Sequence, residues 1–182
     1  MEKSSKLHSK KIALAGILTA LGAAALFLEN LIPTGKLGFY VLAGFILSVV
    51  IMECGFSFGW LSYVAVSTIA FLLVPEKTAV LPYVLFFGIY SLVKSHIEQI
   101  NKLIIEWVLK FAFFSLSLFF MWNIAVQVLD LIPPKLVQSL PVYGVVLVLQ
   151  AAFFTFDWIF TFFTQYYINK ISSKIHSTDS AL

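Results

Sequence analysis

The stretch IALAGILTALGAAALFLENL, Ile12–Leu31, decides how this chain is read. No charge interrupts it from Ile12 to Leu28. A helix rises 1.5 Å per residue, so about 20 apolar residues cross a bilayer, with about 17 as the lower bound. Lys3, Lys6, Lys10 and Lys11 stand in front of it. The run is longer than a secretory h-region, and Glu29-Asn30-Leu31-Ile32-Pro33 is not a small-residue cleavage site. It reads as a retained first transmembrane helix.

Working outward, five more apolar runs follow, each closed by a short polar clip. Helices are expected at about 12–31, 37–53, 56–74, 79–95, 103–131 and 142–169. The second and fourth runs are short and must borrow flanking residues or tilt less. Pro33-Thr34-Gly35 and Pro75 end helices, and Pro82 falls in a first turn, where a missing N–H matters little. The 182 residues are 60% hydrophobic, with a mean hydropathy of +0.96, outside the range of soluble domains. The expected fold is all-α: a polytopic integral membrane protein whose single domain, 1–182, is a bundle of six transmembrane helices in lipid.

Lysines gather at alternate clips, and cations near helix ends mark the cytoplasmic side. Lys3, Lys6, Lys10, Lys11, Lys94, Lys102, Lys170 and Lys174 fall on one side, against Lys36, Lys77 and Lys135 on the other. Both termini are therefore expected in the cytoplasm, with the chain spanning the cell membrane several times. The small +3 net charge and the absence of arginine point away from nucleic acid. The single Cys54 excludes an internal disulfide framework and multi-cysteine metal sites. No H-E-x-x-H, G-x-S-x-G or phosphate-binding glycine loop is present, so no catalytic residue, metal or cofactor is expected.

Three groups of residues carry candidate chemistry. On helix 1, Gly16, Ala20 and Ala24 repeat every four positions, beside a second row of Ala15, Thr19 and Ala23. Small side chains let helices approach closely, either within the bundle or against an external partner. In the outer half of helix 5, Asn123, Gln127 and Asp130 share a face with Trp122 beside them, and Gln150 lies at comparable depth on helix 6. Polar groups at that depth need protein, ligand or water, so the face reads as a small-molecule site or as interhelical hydrogen bonding. Glu29 and Asn30 could join that mouth, and solvated loop residues are the favoured reading. The third group is charged: Glu53, Glu106, Lys110 and Asp157. A Lys110–Asp157 ion pair is favoured over a Glu106–Asp157 proton relay, because a cation is present to balance the carboxylates. Lys94, His96, Glu98 and Lys102 read as a solvated polar loop, with contact to a cytosolic partner as the alternative.

The lysine-rich start, the small-residue ladder, six helices in a short chain and internal termini together resemble a known family. It is the substrate-binding S component of energy-coupling-factor vitamin transporters. The most specific match, Ala20-Leu21-Gly22-Ala23-Ala24, is similar to that family's A-x-x-x-A motif on helix 1. The resemblance implies that Gly16, Ala20 and Ala24 dock against a transmembrane coupling subunit driven by a pair of ATPases. It further implies a vitamin-like ligand in the outer half, where Trp122, Asn123, Gln127, Asp130 and Gln150 sit. No signature of the riboflavin, thiamine, biotin, folate or metal-specific members is present. A scaffold in cell-envelope assembly and an ion-coupled carrier are the alternative functions.

Overall fold

The computed structural model describes the backbone of residues 2–32, 34–100, 102–124 and 142–172, and the side chains of 8–32, 34–100, 102–124 and 144–170. Among these residues the secondary structure is helical throughout, and six helices are long and apolar enough to span a membrane. Helix α1 is Glu2–Leu31, α2 is Lys36–Cys54 and α3 is Phe56–Leu73. The fourth span ends in α4, Gly88–Ile97; helices α5 and α6 are Leu103–Asn123 and Val142–Tyr166. Helix α1 starts ten residues before the expected position, because its polar first turns carry helix-forming Lys, Ser and Glu without any apolar signal.

The fourth span departs from a regular helix. A 3₁₀ turn at Lys77–Val80 and a π-helical segment at Tyr83–Phe87 precede α4, and a 3₁₀ turn at Glu98–Ile100 follows it. Pro82, which has no N–H to donate, sits just before the π segment. The Tyr63 hydroxyl donates to the Val84 carbonyl at 2.8 Å, giving a side-chain partner to backbone in the distorted segment. Two tight connections depend on glycine in conformations that other residues rarely adopt. Gly35, with φ of 78°, precedes α2, and Gly55, with φ of 104°, is the sole residue between α2 and α3.

Two compact units divide the chain, 1–117 and 118–182. In the first, α1 packs on α2 and α3, and α2 packs on α3 and α4. Glycines allow close approach where α2 meets the fourth span: a Cβ on Gly44 would lie 3.0 Å from the Phe87 carbonyl oxygen. The Ser91 hydroxyl donates to the Gly44 carbonyl there, at 2.9 Å. The core joins Leu26, Tyr40, Val66, Val80 and Tyr83. Contacts fix the two ends of this unit. At one, the Cys54 thiol donates to the Lys11 carbonyl at 3.4 Å and Phe56 stacks on His96 at 5.0 Å. At the other, the Tyr40 hydroxyl donates to the Ala79 carbonyl at 2.6 Å. Lys10, Lys11, Lys94 and Lys102 fall toward the first end, called here the lysine-rich end. In the second unit, the buried residues Phe153, Asp157, Phe160 and Tyr167 form one stripe along α6 and the turn after it.

Candidate functional site

Helix α1 sorts its two small-residue rows by face. Ala15 and Ala23 are buried and Thr19 is half-buried, whereas Gly16, Ala20 and Ala24 are all exposed. The Thr19 hydroxyl lies 2.7 Å from the Ala15 carbonyl oxygen and 2.8 Å from Ser62 Oγ, a polar link between α1 and α3. Gly22 adds to the inward row: a Cβ there would meet Val66 at 3.3 Å. Among the described residues, a Cβ on Gly16 in the outward row would have no neighbour within 4 Å. A flat strip of backbone is thus offered to lipid or to another helix.

The charges at the lysine-rich end are arranged around Glu98. Lys94, 2% exposed, meets Glu98 Oε1 at 2.6 Å, and the buried Lys110 meets the same oxygen at 3.3 Å. Lys110 also lies 5.5 Å from the centre of the Trp107 ring. Residues 94–100 of the expected solvated loop are instead the last turn of α4 and a 3₁₀ turn, with Lys94 buried and paired to Glu98 one turn on, while His96 and Lys102 are exposed. A lysine held in a membrane-spanning segment needs such a partner, since an unpaired charge there is costly. Glu106 is half-buried in the first turn of α5, and Glu53 is half-buried at the end of α2. Asp157 is buried in α6, in the second unit.

At the opposite end Glu29 is 1% exposed, not a solvated loop residue. It closes the inward face of α1, with Lys36 Nζ 3.3 Å away and the Tyr40 hydroxyl facing it. Lys77 caps the end of α3, donating to the carbonyls of Phe71 and Val74. A basic side chain at a helix C-terminus satisfies orphan carbonyls and complements the dipole.

Of the expected ligand residues, Trp122 is exposed, and Asn123 is half-buried. The Asn123 side-chain amide donates to the Phe119 carbonyl at 2.7 Å, so one of its two N–H groups is engaged by its own helix. Gln150 is half-buried on α6. Gln127 and Asp130 lie outside the described residues. Sequence reasoning missed Lys94 as a buried charge paired with the half-buried Glu98, and Glu29 as a core carboxylate. The Lys94–Glu98 spacing of four was the available signal for the first pair. Comparison with family models, curated proteins and solved structures finds no match for this chain.

Proposed function

We propose that this protein is the membrane-embedded substrate-binding subunit of an uptake system for a small polar or aromatic, vitamin-like molecule. Its termini face the cytoplasm of a bacterial cell, and a separate transmembrane coupling subunit with ATPases supplies the energy. The observation that supports this reading is the outward row Gly16, Ala20 and Ala24, exposed while its neighbouring row is buried. Helices associate in lipid through small residues, because lipid tails leave no hydrophobic force to drive them together. The ligand is assigned to Trp122, Asn123, Gln127, Asp130 and Gln150, whose amides, carboxylate and indole suit a polar molecule with a flat ring.

The charged residues take a structural role in this reading. Lys110 is paired with Glu98, which favours an ion-pair support over a proton relay through Glu106 and Asp157. A non-transporting scaffold would act through helix 1 and the 94–102 segment; the exposed helix 1 row serves it equally, and the burial of Lys94 removes part of the second surface.

Native mass spectrometry of gently purified protein is the test. A retained small molecule, lost in Asn123→Leu and in Gln127→Leu variants that elute normally, is the expected result. Co-purification of a coupling subunit and ATPases with the parent chain, but not with Gly16→Leu/Ala20→Leu, is expected alongside it. Unchanged ligand retention in the Asn123→Leu/Gln127→Leu double variant eliminates the ligand assignment. Co-purification of envelope enzymes in place of ATPases favours the scaffold.

A further inference from the structure

A groove of about 610 Å³ lies in the first unit between α3, α4 and α5. Trp60, Leu92, Ile97, Ala112 and Leu116 are among its walls, and His96 is the polar side chain that lines it. We propose that the groove holds one hydrocarbon chain of an anionic phospholipid, with the phosphate head group at the lysine-rich end.

Four observations select this occupant. Along α5 the lining runs from Leu109 to Leu116, a rise of about 10 Å parallel to the helices, which is the direction of a lipid tail. The groove opens sideways, because Trp60, Leu109 and Leu116 are exposed. Its walls carry bulky side chains, with Ala112 the small exception, so they do not offer the close backbone approach that a partner helix uses. Finally, one end carries donors for phosphate. The exposed His96 ring is stacked on Phe56 at 5.0 Å, and the exposed Lys102 follows two residues after Ile100 of the lining. Glu98, the carboxylate between them in sequence, faces Lys94 and Lys110. Since a tail leaves one hydrocarbon environment for another, the head group supplies the selectivity. This site shares no residue with the ligand assignment and does not depend on the transport reading.

The test uses full-length protein with Trp107→Phe, Trp122→Phe and Trp158→Phe, leaving Trp60 as the reporter. The protein is placed in phosphatidylcholine vesicles containing increasing brominated-chain phosphatidylglycerol or, separately, brominated-chain phosphatidylcholine. Brominated phosphatidylglycerol is expected to reach half-quenching at a mole fraction about five-fold lower, the effect of one lysine at an anionic surface. Coincident curves overturn the proposal, leaving only the ordinary lipid annulus. Ala112→Phe, which fills the groove, is expected to erase the difference. If the difference survives in monodisperse Ala112→Phe protein, the lipid binds elsewhere and the groove assignment fails. Lys102→Gln, an exposed change that leaves packing untouched, is expected to draw the two midpoints together. An undiminished preference in that variant refutes the head-group assignment.

Discussion

Glu98→Gln tests the charge arrangement at the lysine-rich end most directly. The substitution keeps the size of the side chain and removes the charge shared by Lys94 and Lys110, at 2.6 and 3.3 Å. Removing one partner of a fully buried pair costs about 3–5 kcal/mol. Glu98 is itself 36% exposed, so solvent screens the pair and roughly half of that, ~2 kcal/mol, is the working value. For a chain of this length each kcal/mol moves the unfolding midpoint by about 2–4 °C, so the expected loss is about 4–8 °C. Lys94→Met makes the contrast. It retains the Lys110–Glu98 contact and places an apolar chain in a buried position, so a shift smaller than that of Glu98→Gln is expected. Heating detergent-solubilised protein and following the monodisperse peak by size exclusion measures both. A Glu98→Gln midpoint within about 1 °C of the parent, or a larger loss in Lys94→Met, refutes the reasoning.

Other perturbations follow from the packing. Gly44→Ala pushes a methyl group against the Phe87 carbonyl oxygen and is expected to destabilise by about 1–3 kcal/mol, whereas Gly16→Ala meets open space and should not destabilise; thermal midpoints of the two variants compare them directly. Tyr63→Phe deletes the 2.8 Å hydrogen bond to the Val84 carbonyl and should cost about 1 kcal/mol, seen as faster amide exchange confined to the π segment around Tyr83–Phe87. Glu29→Leu removes a carboxylate that is 1% exposed and leaves Lys36, nearly half exposed, free to reach water. Stability is expected to hold within about 1 kcal/mol, and a larger loss would show that the ion pair supports the fold.

The six spans were legible because lipid imposes a length and a composition that few other environments share. The runs at 56–74 and 37–53 match α3 and α2 to within a residue. The interior of the fourth span was not legible, because 3₁₀ and π turns leave no compositional trace beyond Pro82. Lys94 and Glu29 were misjudged for a common reason. Sequence assigns a charged residue to water by default: the spacing of four hinted at the Lys94–Glu98 pair, but only packing reveals that Lys94 and Glu29 are buried. The helix 1 ladder was visible as small residues, but two rows one position apart cannot be ranked without neighbours. Ser62 and Val66 on α3 break the tie by claiming the row that includes Thr19, and Gly22 beside it. For the ligand face, Asn123 was placed on α5 correctly, yet one of its two N–H groups is taken by Phe119 of its own helix.

The link between α2 and α3 is Gly55 alone, turning at φ of 104°. With helices of 19 and 18 residues on either side, there is no loop to absorb inserted residues without moving one helix against the other. In the folded protein the pair is therefore held as one folded-back hairpin. An epitope tag spliced after Cys54 would break that turn and is expected to be poorly tolerated.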